Sequence, residues 1–172
     1  MADFLIADTH FGDSRIIRLE NRSFKSAEEM DKSLIKNWNT VVNGMDTVFT
    51  VGDFTAYTDK QKVSDIVRSL KGNKVLIMGN HDDIFTIDEW REIGFGLVIP
   101  YSIIVRKFFI LSHKPLYINM NGAFANVYGH VHGNPSYKDV SPVSACVSAE
   151  RINYTPISFD SIINKMKEAE NE

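Results

Sequence analysis

All five histidines of the chain lie in short polar motifs. Two of them, His130 and His132, stand one residue apart in the stretch YGHVHG. The others belong to DTH at residues 8–10, GNHD at 79–82 and SHKP at 112–115. Imidazole side chains bind transition metals and exchange protons near neutral pH. Because no histidine falls outside such a motif, the sequence predicts one site that uses them together.

The same motifs, together with a Gly-Asp pair at residues 52–53, supply more candidate ligands than one metal ion needs. The motifs contain seven candidate ligands. If one of them bridges two ions, the seven side chains provide eight contacts, four for each ion. Imidazole and carboxylate ligands without a thiolate suit divalent or mixed-valence Mn, Fe, Ni, Co or Zn, with Mn²⁺ as the first expectation, and argue against a structural zinc site. The candidate metal ligands are Asp8, His10, Asp53, Asn80, His113, His130 and His132.

Two metal ions roughly 3.5–4 Å apart promote phosphoryl transfer, because together they stabilise the attacking and the leaving oxygen. A hydroxide held between the ions is then the expected nucleophile. His81 is not needed as a ligand and lies next to Asn80, which suits a general acid that protonates the leaving group. Asp82 follows it and is predicted to orient the imidazole.

Each motif also has an ordinary structural explanation when it is taken alone. Gly-Asp and Gly-Asn are common turn dipeptides, and a single histidine after a strand often has only a structural role. The shared position of the motifs argues against that explanation for the whole set, because each of them follows a short apolar run.

These apolar runs predict the strands that position the motifs. FLIA at residues 4–7, TVFTV at 47–51 and KVLIM at 74–78 have the composition of buried strands. The second half of the chain is richer in strands, with LVIPYSIIV, KFFIL, ANVY and VSACV. Because sites in open α/β sheets form at the carboxyl ends of strands, five strand ends are expected to deliver ligands to one place.

Helical periodicity separates the first strands and returns at the end of the chain. It is found over residues 26–42 and 58–72, from Thr86 to near Gly94, and from about Ser158. The order is β-α-β-α-β followed by mostly strands. This order predicts an α/β (α+β) fold in which two mixed sheets pack as a sandwich flanked by helices.

Length and composition suit one cytoplasmic domain over residues 1–172, without a cap domain and as a monomer or homodimer. The net charge of −3 gives no electrostatic reason to expect nucleic acid or an anionic membrane as a partner, although a local basic patch is not excluded. Cys146, the one cysteine, rules out an internal disulfide and is expected to be buried. The sequence shows neither a signal peptide nor an apolar stretch of about 18 residues, the length of a membrane helix.

The ordered motifs resemble those of the calcineurin-like metallophosphoesterase superfamily, which are D-x-H, G-D, G-N-H-[DE], H and G-H-x-H. They stand here as DTH, GD, GNHD, SH and GHVH. The resemblance implies one ion bound by Asp8, His10, Asp53 and His132, and a second bound by Asp53, Asn80, His113 and His130. Asp53 would bridge the two ions, and His81, supported by Asp82, would protonate the leaving group or stabilise the developing charge.

Further stretches, including DTHFGD, NRSF, GDFT and NYTPISFD, resemble a small single-domain bacterial and phage branch of phosphoesterases. The chain departs from the Ser/Thr protein phosphatases, which carry G-D-x-V-D-R-G where this sequence has GDFTAYT. The missing Asp-Arg pair argues against protein phosphatase activity.

The short gaps between motifs leave no room for a cap domain, so the site is expected to be open to a bulky, nucleotide-type phosphodiester. A phosphomonoesterase is the alternative, and a non-catalytic interaction module on the same fold is a third possibility. The basic segment DSRIIRLENRSFK contributes Arg22 as the predicted clamp for a substrate phosphate, because a guanidinium can bind two phosphate oxygens at once. A solvated helix or loop face is the alternative explanation of this segment.

Overall fold

The computed structural model describes residues 1–119 and 124–171 and arranges these residues in two five-stranded sheets with helices. The strands of the described part are β1 (Asp3–Ile6), β2 (Thr47–Thr50), β3 (Asn73–Ile77), β4 (Leu97–Ile99), β5 (Ile103–Val105), β6 (Phe109–Ser112), β7 (Ala125–Tyr128), β8 (Val140–Ser141), β9 (Ser144–Cys146) and β10 (Ile157–Ser158). The α-helices are α1 (Ser14–Leu19), α2 (Ala27–Val41), α3 (Lys60–Ser69), α4 (Ile87–Ile93) and α5 (Phe159–Glu170).

The first sheet has the order β10-β1-β2-β3-β4. Strands β1 to β4 are parallel, and β10 pairs antiparallel with β1 at one edge. In this register Leu5 lies opposite Phe49, and Phe49 lies opposite Val75. Because parallel strands end at the same edge of a sheet, β1, β2 and β3 bring the motifs DTH, GD and GNHD together.

The second sheet has the order β5-β6-β7-β9-β8, with β6, β7 and β9 parallel and antiparallel strands at both edges. Strands β6 and β7 end at the motifs SH and GHVH. The two sheets meet at this edge, where the Ala7 amide donates to the Val147 carbonyl (2.8 Å) and the Ala149 amide donates to the Ala7 carbonyl (3.0 Å). This connection joins the ligand-bearing ends of both sheets.

Alternating side chains place the core on both faces of the first sheet. Leu5 belongs to the apolar layer shared with the second sheet and α5, whereas Phe4 and Ile6 belong to the layer under the other helices. Trp38 of α2 and Trp90 of α4 are almost completely buried in the same layer as Phe4 and Ile6, between the first sheet and the helices. The predicted sandwich of two mixed sheets is therefore the observed architecture.

The predicted strands and helices are present, with two differences. The run LVIPYSIIV forms two strands, β4 in the first sheet and β5 in the second, because Pro100 has no amide hydrogen to continue the ladder and the chain changes sheets there. The start of the basic segment forms the short helix α1, capped by the Asp13 side chain. No helix in the described residues combines the length and apolarity that a bilayer crossing requires.

Candidate metal centre

The candidate ligands lie on loops whose backbone is in an unusual conformation. Asp8, His10, Asp53, His130 and His132 have φ angles of 55°, 49°, 55°, 70° and 48°. Positive φ is uncommon for residues with a side chain and is found most often at functional sites. The loops after β1, β2 and β7 therefore turn their candidate ligands through left-handed residues, whereas Asn80 and His113, after β3 and β6, are not among the residues with positive φ.

The side chains form two adjoining clusters of potential ligands. Within each cluster, one ligand atom of every residue lies within 4.8 Å of the others. The first cluster contains Asp8, His10 and His132, and the second contains Asp53, His113 and His130. This division agrees with the two ligand sets that the family resemblance implies.

The second cluster converges on one nitrogen, Nε2 of His113. This atom lies 3.0 Å from Oδ1 of Asn80, 3.1 Å from Nδ1 of His130 and 3.3 Å from Oδ2 of Asp53. Nδ1 of His113 lies 3.0 Å from the Val51 carbonyl oxygen, which fits donation by a protonated Nδ1. Nε2 then presents a lone pair to the cluster, as a metal ligand must.

The first cluster contains a buried nitrogen without a hydrogen-bond partner. Nε2 of His10 has no partner among the described residues and lies 3.7 Å from Oδ2 of Asp53. Buried polar atoms are rarely left unpaired, so this nitrogen fits a metal ligand. The Asp8 carboxylate is fixed beside it, because its Oδ2 accepts a hydrogen bond from the His130 amide at 2.8 Å.

His132, the third member of the first cluster, is oriented by Glu150. Nδ1 of His132 lies 3.1 Å from Oε1 of Glu150, so that the other ring nitrogen is available to an ion. Glu150 follows strand β9 in a short 3₁₀ helix and belongs to no motif, and for this reason the sequence analysis did not find it. A carboxylate that accepts from a ligating histidine fixes its tautomer and ring orientation.

Arg22 lies beneath this group, and its position contradicts the prediction that it clamps substrate. Its side chain is fully buried. Nε and Nη2 donate to Oε1 of Glu150 at 2.8 and 2.6 Å, while Nη1 donates to the Thr9 carbonyl (3.0 Å) and Nη2 to the Asp8 carbonyl (2.6 Å). Arg22 therefore holds the DTH loop and Glu150 in place, and it has no exposed surface to offer to a phosphate.

Electrostatics favour the protonation states that metal binding needs at Asp53 and His10, but not at every candidate ligand. Burial opposes protonation of His113 and of His132, but the hydrogen bond and charge of Asp53 outweigh it at His113 and the hydrogen bond to Glu150 outweighs it at His132, so that both pKa values are raised. Burial opposes ionisation of Asp53, but the hydrogen bond and the charge of His113 outweigh it and lower the pKa of this carboxyl to about 2. Burial lowers the pKa of His10 to about 4, so its imidazole is neutral. Burial raises the pKa of Asp8 to about 6. A bound cation would favour the ionised form of Asp8.

His81 stands beside the first cluster with an exposed side chain. Its ring meets the His10 ring edge to face, with 5.4 Å between centroids, and its amide donates to Oδ1 of Asp53 at 2.9 Å. It is in neither cluster, so its ring can face a substrate that lies over the ligands.

The buried Asp82 does not hold the His81 ring, which differs from the prediction. Its carboxylate accepts hydrogen bonds from the amides of Asp53 (2.8 Å), Phe54 (2.9 Å) and Gly79 (2.8 Å). These bonds join the GD loop to the GNHD loop. Asp82 therefore positions the candidate bridging ligand rather than the candidate acid.

Gly79 and Gly52 allow these loops to approach closely. A Cβ atom on Gly79 would collide with the Asp53 carboxylate, and one on Gly52 would collide with the His113 ring. Gly52 also has a φ of 88°, which side chains rarely adopt. Larger residues at these two positions would push the clusters apart.

Two clefts open beside the clusters, and they share no lining residue. The larger, of about 290 Å³, is lined by Ile77, Met78, Gly79, Asn80, Pro100, Tyr101, Ser102, Ser112, His113, Lys114 and Leu116. The smaller, of about 110 Å³, is lined by His10, Asp13, Arg15, Thr55, Ala56, His81 and Ile84. The larger cleft thus begins at ligands of the second cluster, and the smaller one at His10 and His81.

Proteins from an archaeon, a bacteriophage and a bacterium are similar to this chain. An uncharacterised protein of Methanocaldococcus jannaschii is 38% identical over 168 residues, which cover 93% of this chain and 88% of that protein. The Gene 66 protein of Mycobacterium phage L5 is 35% identical over 78 residues, which cover 44% of this chain and 37% of that protein. The crystal structure of a protein of unknown function from Aquifex aeolicus matches with a TM-score of 0.74 and 25% identity, over 95% of this chain and 98% of that one.

The sequence profile of the calcineurin-like phosphoesterases matches residues 4–164 of the chain. The match includes every motif that carries a candidate ligand, and the two clusters provide the ligands that a dinuclear metal centre requires. The prediction drawn from the ordered motifs is confirmed at the level of the family. The chain belongs to the calcineurin-like phosphoesterase family.

Proposed function

We propose that this phosphoesterase is a metal-dependent phosphodiesterase that hydrolyses nucleotide-type or similar small diesters. The observation that carries the proposal is the presence of two separate clefts, one lined by His113 of the second cluster and the other by His10 of the first. A phosphodiester has two substituents, and a phosphate centred on the clusters could direct one into each cleft. A monoester has one substituent and would leave one cleft to solvent.

The proposed cofactor is a pair of transition-metal ions, with Mn²⁺ as the first candidate and Fe, Ni, Co or Zn as alternatives. The first cluster with Asp53 would hold one ion, and the second cluster with Asn80 would hold the other. When bound, such ions supply Lewis acidity to the phosphate oxygens and acidify a water that can act as the nucleophile. The buried, unpaired Nε2 of His10 supports this assignment.

The protein's own contribution to the reaction centres on His81. Its imidazole is exposed at the smaller cleft, within reach of an ester oxygen there. In its protonated form it can donate a proton to the leaving oxygen as the P–O bond breaks. Its backbone amide is bonded to Asp53, which ties the position of this acid to that of the bridging carboxylate.

The proposal is tested by comparing bis-p-nitrophenyl phosphate with p-nitrophenyl phosphate as substrates, with added Mn²⁺. We expect a higher kcat/KM for the diester and no turnover after chelation of the metal. A higher kcat/KM for the monoester would support the phosphomonoesterase instead. Metal-loaded protein without activity on either ester would favour the interaction module.

A further inference from the structure

The two clefts differ in size and chemistry, and the difference assigns an orientation to the substrate. We infer that the larger cleft binds a flat, nucleoside-like substituent that stays on the phosphate, whereas the smaller cleft receives the departing alcohol. This inference rests on the proposed function. The products would then be a nucleoside monophosphate and a small alcohol.

The larger cleft offers a surface on which a flat ring can stack. The Tyr101 side chain is 71% exposed and Leu116 is 41% exposed, although both line a concave wall. Pro100 and Met78 extend this apolar surface, and Lys114 adds a charged group. Exposed aromatic rings next to apolar surface suit nucleobases, because every base has a π face that stacks.

The larger cleft is also continuous with the candidate metal centre. Gly79, Asn80 and His113 belong both to its lining and to the loops of the second cluster. A phosphate over the ligands therefore lies at the mouth of this cleft. The volume of about 290 Å³ is near the lower end of the range for ligand pockets, which suits one nucleoside rather than a longer chain.

The smaller cleft is much less roomy than the larger one. Its volume of about 110 Å³ is less than half of the 290 Å³ of the larger cleft. Arg15 and Asp13 make its wall polar, in contrast to the apolar wall near Tyr101. A short alcohol fits this space, whereas a nucleoside would have to extend into solvent.

The position of His81 decides which substituent leaves. His81 lines the smaller cleft and is absent from the lining of the larger one. In the hydrolysis, a water oxygen forms a bond to phosphorus, the P–O bond on the His81 side breaks, and the leaving oxygen takes the proton from His81. The proton released by the attacking water restores the balance, so diester and water give monoester and alcohol.

An asymmetric substrate tests this orientation directly. The ethyl ester of thymidine 5′-monophosphate has two alkyl leaving groups of similar chemistry, so the products report how the enzyme holds the substrate. We expect thymidine 5′-monophosphate and ethanol as the main products with Mn²⁺-loaded protein. Thymidine and ethyl phosphate as the main products would overturn the inference.

Variants of Tyr101 test the cleft itself. Tyr101→Ala should lower kcat/KM for the p-nitrophenyl ester of thymidine 5′-monophosphate by roughly tenfold or more, as loss of a stacking ring does. It should change kcat/KM for ethyl p-nitrophenyl phosphate little, and Tyr101→Phe should retain activity on both. Tyr117→Ala is the matched control, since Tyr117 is 94% exposed and does not line the cleft. Equal losses on both esters, or no loss, would contradict the assignment.

Hydrolysis of bis-p-nitrophenyl phosphate by the same preparation separates this inference from the proposed function. Activity on that ester together with reversed products from the ethyl ester would contradict the orientation alone. Absence of activity on every diester, with both ions bound, would contradict the phosphodiesterase and the orientation together.

Discussion

The two halves of the candidate metal centre are supported in different ways. In the first cluster, His132 is oriented by Glu150, which is in turn bonded to the buried Arg22. In the second cluster, His113 is oriented by the carbonyl oxygen of Val51. His132 therefore depends on charged side chains from distant parts of the chain, whereas His113 depends on a backbone carbonyl. The buried Asp82 carboxylate supports the second cluster only through the loop backbone around Asp53.

This difference has a consequence for how each half responds to mutation. A side-chain network can be broken by one substitution, whereas a backbone carbonyl remains after every substitution. Breaking a buried charged network also leaves its remaining members unpaired, which is costly. The orientation of His132 should therefore be more sensitive than that of His113 to substitution of the residue that accepts from the ring.

The largest effect is expected where the two halves meet. Asp53 contributes to both predicted ligand sets, so Asp53→Asn should lower the occupancy of both ions and abolish measurable turnover. Elemental analysis and hydrolysis of bis-p-nitrophenyl phosphate provide the readouts. Asp83→Asn is the control, because Asp83 is an exposed acid near the same loop. One ion retained at full occupancy, with activity, would rule out Asp53 as a bridge.

His81 is expected to belong to neither half. His81→Ala should keep both ions and lose roughly 10²- to 10⁴-fold in rate on a diester with an alkyl leaving group. The loss on a nitrophenyl ester should be much smaller, because nitrophenolate leaves without a proton. The measurement is kcat/KM on both esters beside metal content. Equal losses on both esters would indicate electrostatic stabilisation instead, and loss of an ion would show that His81 is a ligand.

Substitutions of Arg22 test whether this residue supports the first half, and the free energy of unfolding is the quantity that reports it. Arg22→Ala removes the partner of the buried Glu150 carboxylate and two donors to backbone carbonyls, and it should lower the free energy of unfolding by about 3–5 kcal/mol. Arg22→Lys should recover part of this loss, since an ammonium cannot reproduce the planar set of donors. Urea denaturation of the metal-free proteins measures both. Unchanged stability in Arg22→Ala would contradict a structural role.

Substitution of Glu150 should change the affinity for one of the two ions only, and it therefore distinguishes the two halves. Glu150→Gln should weaken the binding of one ion by roughly 10- to 100-fold, the usual effect of losing such an outer partner, and leave the other ion unaffected. Stepwise titration with Mn²⁺ followed by calorimetry resolves the two events. Glu28→Gln serves as the control, because Glu28 is an exposed acid in the first turn of α2 and belongs to neither cluster. Equal weakening of both ions would show that the halves are not independent.

The smallest effect concerns the exposed arginines that precede Arg22. Arg15 lines the smaller cleft, and the Asp13 carboxylate binds its Nε and Nη2 at 3.0 Å each. Arg15→Ala should therefore raise KM for a diester by roughly two- to fivefold, as expected for an exposed ionic contact. Arg18→Ala, one turn along the same short helix, should leave KM unchanged. A reversed order of these two variants would remove Arg15 from the substrate site.

The strands and the family could be predicted from the sequence because apolar runs and ordered motifs follow local rules. Each strand is a short apolar run, and each ligand motif lies directly at its end, so the parallel order of β1, β2 and β3 brings three motifs to one edge. The starts of two helices could also be predicted from nearby residues. Ser26 caps α2, and Thr86 forms a capping box with Glu89 at the start of α4.

The supports of the site could not be predicted in this way, because they join residues that are far apart in sequence. Arg22 and Glu150 are separated by 128 positions, and neither lies in a pattern that indicates burial. The basic segment predicted a charged surface, but folding turned one of its arginines inward. The role of Asp82 was missed for the same reason, since its carboxylate bonds to amides of residues 53 and 54, on another loop.

The left-handed backbone at five of the ligands also limits how this site can be redesigned. Among residues with a side chain, Asn, Asp and His adopt positive φ most readily, whereas β-branched residues rarely do. The loop conformation and the chemistry of coordination therefore select the same few amino acids at Asp8, His10, Asp53, His130 and His132. At the four of these positions other than the proposed bridge Asp53, exchanges among aspartate, asparagine and histidine should alter the choice of ion while the loops keep their shape, which makes them a starting point for engineered metal specificity.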